Sequence, residues 1–367
     1  MAGLWPIELK PTTTPKSDAG RAEILRDPGF GRYFTDNMVR AMWNESDGWH
    51  NAELIPYGPI AMDPATNFIH YGQAIFEGLK GYRQDDGTIK SFRPMANAER
   101  FATSARRLAM AELPAELFMA SLHAIVEVDG AWAPEGQEKS LYLRPFMFST
   151  EVGLGIRPGS SYQYILIASP AGAYFPRGVK PVTVWISDEY VRAAPGGTGF
   201  AKCAGNYAAS LVAQAEALQH GCDQVVWIDA IERKWIEEMG GMNLFFVYGS
   251  GDSARIMTPE LTGSLLPGVT RRSVLTVAED LGIRADEGKI SVDEWREGCA
   301  SGEITETFAC GTAAVITPVG EVKSRNSGAW SVGGGGSGEV TMKLRQALLD
   351  IQTGQAPDRH NWMHTLS

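Results

Sequence analysis

Short runs of β-branched and aromatic residues, closed by turn residues and interleaved with helical stretches, constrain the fold of this chain most. Gly78-Leu-Lys-Gly-Tyr-Arg and Thr88-Ile-Lys-Ser-Phe read as strands, with Asn67-Phe-Ile-His-Tyr as a third in a strand-rich region from Ala61 to Phe92. Turns at Asp63-Pro64 and Asp86-Gly87 punctuate it. Asn97 is placed to cap a helix running through Arg107, and a second helix spans Ala115 to Val128. Ser140 to Phe148 and Tyr162 to Ser169 follow as short buried strands. Strict βαβ alternation is missing, so this half is α/β of the α+β kind.

Val182 to Ile186, Gln224 to Asp229 and Asn243 to Tyr248 read as strands of the second half. A helix from Asn206 to Gln219 carries Ala208, Leu211, Val212, Ala215 and Leu218 at helical spacing and stops at Gly221. Further helices are expected near Arg271–Leu281, Val292–Glu297 and Val340–Ile351. Two prolines and a glycine interrupt the pattern in Ala173 to Pro181. The expected division is therefore an N-terminal domain at 1–174, whose first thirty residues form an arm, a linker at 175–188 and a C-terminal domain at 189–367. A chain of 367 residues can hold two such cores.

The formal net charge of -10 argues against a nucleic-acid footprint, and Arg106-Arg107 and Arg271-Arg272 read as local contacts. No segment has the eighteen or so apolar residues that span a bilayer, and the start lacks a secretory pattern. Cys203, Cys222, Cys299 and Cys310 form no CxxC and no zinc spacing, which fits reduced thiols in a cytoplasmic enzyme. GxSxG, Walker A and HExxH patterns are missing. Gly333-Gly-Gly-Gly-Ser-Gly338 matches GxGxxG, but the chain ends too soon after it for a dinucleotide fold, so it reads as a glycine-rich turn. His360 and His364 have no third ligand at metal spacing.

The informative stretch is Gly199-Phe-Ala-Lys202-Cys-Ala-Gly205-Asn206-Tyr207. Local pattern leaves Lys202 open as a Schiff-base nucleophile, a phosphate ligand or a surface charge, and favours the last. Other segments change that. Together with Lys202 to Tyr207, Glu238-Met-Gly-Gly-Met-Asn243, Leu266-Pro-Gly-Val-Thr-Arg271 and Gly311-Thr-Ala-Ala314 resemble the branched-chain amino acid aminotransferases. The first half agrees through Phe30 to Met38, His70 to Lys80, Phe92-Arg-Pro and Leu141 to Pro145, all in the family's order. That family belongs to the class IV aminotransferases, fold-type IV pyridoxal-phosphate enzymes. The resemblance implies a smaller N-terminal α/β domain, a larger C-terminal domain and pyridoxal 5'-phosphate at the domain interface.

It also implies roles for residues. Lys202 would bond the cofactor and shuttle a proton between the substrate carbon and C4′. Glu238 would face the pyridine nitrogen and Tyr207 the phenolic oxygen, while Glu237 is left as a surface acid. Arg100, the N–H groups of Val269 and Thr270 and the Thr312 hydroxyl would hold the phosphate. Phe30, Tyr71, Phe76, Tyr142 and Tyr174 would form an apolar pocket, with Tyr71 and the Leu154 and Ile156 loop coming from the partner of a homodimer. The N–H groups of Thr312 and Ala313 would take the substrate carboxylate, and Arg144 the γ-carboxylate of glutamate.

The activity so implied is transamination of L-leucine, L-isoleucine and L-valine with 2-oxoglutarate by a ping-pong route. D-amino acid transaminase and aminodeoxychorismate lyase are the alternatives within the fold, and a non-catalytic cofactor-binding or dinucleotide-binding protein the alternative outside it. Ala314 and Thr317 stand where mammalian members carry a redox CxxC, so no such thiol switch is expected. Gly241 stands where some relatives have Thr.

Overall fold

A computed structural model describes residues 4–174 and 178–367. The first half contains β1 (Glu8–Leu9), α1 (Asp18–Arg26), β2 (Asn37–Asn44), β3 (Gly48–Pro56), α2 (Asn67–Tyr71), β4 (Ala74–Phe76), β5 (Leu79–Arg83) and β6 (Ile89–Phe92). Next come α3 (Pro94–Arg107), α4 (Ala115–Asp129), β7 (Ser140–Ser149) and β8 (Ser161–Ala171). The second half begins with β9 (Val182–Ile186), α5 (Ala204–Ala208), α6 (Leu211–Gln219), β10 (Gln224–Ile228), β11 (Ile236–Met239), β12 (Met242–Tyr248) and β13 (Arg255–Pro259). It continues through α7 (Val269–Asp280), β14 (Arg284–Gly288), α8 (Val292–Ser301), β15 (Ile304–Gly311), β16 (Val315–Ser324) and β17 (Gly328–Ser331), and ends with α9 (Glu339–Gln352) and β18 (Met363–Thr365).

Two compact units result. Met1–Pro176, Ala201–Ala204 and Asp350–Ser367 form one; Arg177–Phe200 and Gly205–Leu349 form the other. Each is built on a nine-stranded sheet. In the first unit the order is β1-β3-β2-β8-β7-β5-β6-β18, with β4 on β7. Alternation sorts its side chains: Tyr162, Tyr164, Leu166 and Ala168 of β8 join the main core with α4, while Ile165 joins Met38 and Phe148 in a smaller cluster. The arm is anchored, since β1 pairs with β3 and Trp5, Ile7, Ile24 and Leu25 pack on the core.

In the second unit the order β11-β10-β9-β16-β15-β12 returns on itself through the β11–β12 pairing, closing a six-stranded ring. Val184, Ile186, Val226, Ile228 and Leu244 share one core, while Trp185, Val225 and Trp227 from alternate positions meet α6. β10 and β12 are buried on both faces, as their nearly continuous apolar runs require.

The structure differs from the sequence reading at several points. Asn67–Tyr71 is one helical turn closed by Gly72 at φ 67°, not a strand. Helix α3 starts at Pro94, a residue suited to the first helical position, and Asn97 lies buried within it instead of capping it. The helix expected from Asn206 to Gln219 is two helices, and α6 faces its core with Ala213 and Ala217 while Leu211, Val212 and Leu218 are exposed. Small residues meet the bulky Trp185 and Trp227, so the large aliphatics point outward. Of the expected linker 175–188, residues 175–177 lie outside the described residues, and Val182–Ile186 pairs on both sides as β9. Residues 350–367, expected in the C-terminal domain, belong to the first unit because β18 pairs with β6 and Leu366 is buried there. No helix of the described residues is long and apolar enough to cross a membrane.

Leu366 joins the main core of the first unit from the end of the chain. Its replacement, Leu366→Ala, is expected to lower unfolding stability by about 2–5 kcal/mol in a urea titration. An unchanged midpoint would show that the C-terminal strand adds nothing to this core.

Candidate active site

Lys202, expected with the C-terminal domain, belongs to the first unit, where hydrogen bonds fix its backbone. Its carbonyl accepts from Phe76 N–H at 3.0 Å, and its own N–H donates to Ser104 Oγ at 2.9 Å. The neighbouring Cys203 bridges Ile75, so the Lys202 stretch acts as an extra rung beside β4. The half-buried side chain sets Nζ 4.8 Å from the Phe76 ring centroid. Next along the chain from Phe76 is Glu77, fully buried. Arg100 grips its carboxylate with Nε at 2.7 Å and Nη2 at 2.9 Å, and Asn97 Nδ2 donates at 2.8 Å. Burial opposes ionisation of Glu77, but the charge and hydrogen bonds of Arg100, the charge of Lys202 and the Asn97 amide outweigh it and lower its pKa. Sequence reasoning misses Glu77, because an acid after an aromatic has no distinguishing spacing.

The aromatics divide into two groups. Phe30 meets Tyr142 edge-on at 4.9 Å, and Arg144 Nη2 donates to Tyr142 Oη at 2.8 Å while its guanidinium lies 5.0 Å from the Phe76 ring centroid. Phe30, Phe76, Tyr142 and Arg144 are thus one cluster, joined to Lys202 through Phe76. Gly78 is required there, because a Cβ on it would stand 2.1 Å from Tyr142 Oη. Tyr71 and Leu154 form a separate, exposed pair in which Tyr71 Oη donates to the Leu154 carbonyl at 2.6 Å. Ile156 and Tyr174 are also exposed.

In the second unit, β11 presents Glu238, which is 1% exposed. Arg192 Nε stands 3.1 Å from Oε2, the Leu266 N–H donates to Oε1, and Asn243, its register partner on β12, offers Nδ2 at 3.4 Å. A buried carboxylate is sustained only by such an opposing charge and donors. Sequence reasoning misses Arg192 and Asn243 as well; Asn243 closes the quoted Glu238 motif, whereas nothing local marks Arg192. Glu237, expected at the surface, is 4% exposed on the opposite face of β11. Tyr207 is half-buried, and a Cβ on Gly241 would stand 3.5 Å from its ring. Val269 and Thr270 begin α7 after Gly268, where backbone N–H groups lack intrahelical acceptors. Thr312 and Ala313 occupy the turn between β15 and β16, half-buried. Val315 closes that turn at φ 63°, a conformation that costs a β-branched residue about 1–3 kcal/mol.

Within the first unit Lys202 supplies an amine. Within the second, taken by itself, Glu238 supplies a compensated buried carboxylate, Tyr207 a hydroxyl and α7 a helix N-terminus, which are donor types that fit a phosphorylated pyridine aldehyde.

Glu77→Gln is expected to cost about 3–5 kcal/mol by leaving Arg100 buried without its anion. Because the folded pKa of Glu77 lies below its ordinary 4.5, its contribution is complete above that value and lost as pH falls through the lower one. Urea melts at stepped pH should therefore show wild type and variant converging in acid; a constant gap would contradict the ion pair.

The model of the family described as amino-transferase class IV matches residues 74–322. The probable branched-chain-amino-acid aminotransferase of Streptomyces coelicolor is 60% identical over 98% of this chain and 99% of its own. The branched-chain-amino-acid aminotransferase of Mycolicibacterium smegmatis is also 60% identical, over 99% of both. Among solved structures, the Escherichia coli branched-chain amino acid aminotransferase matches with a TM-score of 0.72 and 29% identity, over 90% of this chain and 100% of that one. The T.th. branched-chain amino acid aminotransferase with pyridoxamine 5'-phosphate has a TM-score of 0.72 and 26% identity, over 89% and 98%. With its Lys202 segment, its Glu238 motif and near full-length likeness to these enzymes, the chain belongs to the class IV aminotransferases.

Proposed function

We propose that the protein transfers the amino group of L-leucine, L-isoleucine and L-valine to 2-oxoglutarate, giving branched-chain 2-oxo acids and L-glutamate. The observation that carries this reading is the aromatic cluster of Phe30, Phe76 and Tyr142 that Phe76 links to Lys202. An aliphatic side chain is selected there by burial, and the three substrates differ by methyl groups worth only about 1–3 kcal/mol each. The near full-length relatives that carry the branched-chain name support the same reading.

The cofactor is pyridoxal 5'-phosphate, which supplies an electron sink for the electrons left when the α-proton departs. Lys202 Nζ would hold the cofactor and, once displaced by the substrate's amine, would be the base that accepts the proton of the substrate α-carbon and later gives it up. Glu238, paired with Arg192, would serve the ring nitrogen, and Tyr207 the phenolic oxygen. Arg100, held by Glu77, is one cation that would suit the phosphate, and the N–H groups of Val269 and Thr270 with the Thr312 hydroxyl are donors that would suit it. The Thr312 and Ala313 N–H groups would take the substrate carboxylate, on the turn that Val315 closes.

Arg144 and Tyr142 form the cation and hydroxyl that receive the γ-carboxylate of glutamate, so one pocket serves both half-reactions. In a homodimer, the exposed Tyr71, Leu154 and Ile156 complete the partner's pocket, with Tyr174 at its edge. Such an arrangement gives those exposed apolar residues a reason for their placement.

Lys202→Ala should remove turnover of leucine with 2-oxoglutarate while leaving a folded protein, assayed by glutamate formation and circular dichroism. Full turnover by this variant would sink the assignment. Glu238→Gln should reduce kcat far more than Glu237→Gln; equal losses would show that the wrong acid faces the cofactor. A panel of L-Leu, L-Ile, L-Val, D-Ala and aminodeoxychorismate separates this reading from the other activities of the fold.

A further inference from the structure

The stretch that carries Lys202 is divided between the units. The chain leaves the second unit at Phe200, gives Ala201–Ala204 to the first and rejoins the second at Gly205. Within the first unit, the backbone bonds of Lys202 to Phe76 and Ser104 hold the tip of this excursion. Its neck lies in the second unit, and there Thr198 meets Asn206. The Thr198 hydroxyl donates to Asn206 Oδ1 at 2.6 Å, and Asn206 Nδ2 donates to the Thr198 carbonyl at 2.8 Å. A carbonyl can only accept, so the pair of bonds fixes which way the carboxamide faces. Asn206 is 5% exposed, and its bonds are therefore sheltered from competing water.

The outgoing side of the neck is held as well. Arg192 Nη2 donates to the Gly199 carbonyl at 3.3 Å and to the carbonyl of Ser264. A Cβ on Gly199 would stand 2.0 Å from the Ser264 carbonyl oxygen, so only glycine lets the chain lie this close. The returning side enters α5, where Asn206 directly precedes Tyr207. With one side packed on Ser264 and the other wound into a helix, the Asn206 carboxamide is the link that sets the span between them. A loop whose ends are joined samples fewer conformations than one whose ends are free.

We propose that Asn206 is a positioning residue for Lys202, closing the neck of the segment that carries the amine. The inference rests on the reading of Lys202 as the residue that bonds the cofactor. Asn206 acts through the chain, by limiting the conformations open to residues 199–205 and so the places the Lys202 amine can occupy. A reacting group displaced by about 1 Å loses on the order of a hundredfold in rate. Opening the neck is therefore read in kcat and in the titration of the cofactor that Lys202 bonds. The KM for the amino acid, set by other side chains, stays nearly as it was.

Asn206→Ala in the holoenzyme tests this. Its kcat for leucine with 2-oxoglutarate should fall about a hundredfold, with KM for leucine within about twofold of wild type. The visible absorbance of the bound cofactor, titrated against pH, should show a midpoint displaced by about half a unit or more. An asparagine that only stabilises the fold would lower the melting temperature but leave kcat per folded enzyme and the midpoint unchanged, and that result overturns the proposal. Should Asn206→Ala fail to fold, Thr198→Val removes the hydroxyl and keeps the carbonyl. It should lower kcat about tenfold, with Thr198→Ser restoring it; wild-type kcat in Thr198→Val would overturn the proposal equally. Lys202→Ala tests the premise separately: a titration like that of wild type in this variant would remove Lys202 as the anchor, and the proposal with it. Loss of that titration in Lys202→Ala beside wild-type behaviour in Asn206→Ala would sink the clamp alone.

Discussion

Adjacent side chains of a strand must point to opposite faces, and on β11 that rule separates two neighbouring acids. The register is not free to slip, because β11 pairs with β10 on one side and closes the ring with β12 on the other. A shift of one residue would send Glu237 to Arg192 and Asn243 and carry Glu238 away from them. The ring of six strands thus does more than bury a core. It selects which carboxylate meets Arg192 and Asn243, and Arg192 then makes burial of that charge tolerable.

The first unit solves a different problem, that of fixing a lysine at its backbone beside an aromatic ring. Lys202 has both its backbone N–H and its carbonyl engaged, and its neighbour is bridged to β4. The side chain lies over the Phe76 ring. Glu77, the residue after Phe76, answers the positive charge of both Lys202 and Arg100. The cation expected at a phosphate is therefore set in place by a buried anion, through bonds formed by α3 and the chain between β4 and β5.

Much of this is legible in the sequence. The strands Val182–Ile186 and Gln224–Ile228 announce themselves through β-branched and aromatic runs, and the motifs around Lys202 and Glu238 carry the family. What escapes has common physical causes. Arg192 and Glu77 act through partners far along the chain, and no local spacing records such a pairing. Hydrophobicity alone assigns helix α6 the wrong core face, because the two tryptophans opposite it require small residues. Glu237 reads as a surface acid because acids are usually solvated, and only the closed ring shows that it is buried.

The strand at the chain's end also bears on how the molecule is made. The first unit begins with the arm, yet β6 acquires its outer partner only from Met363–Thr365, and the Lys202 rung arrives from mid-chain. During synthesis the second unit's residues are thus translated before the first unit's sheet can be finished. Contacts of such long sequence separation slow folding, and β6 waits as an open edge until Met363–Thr365 have been synthesised.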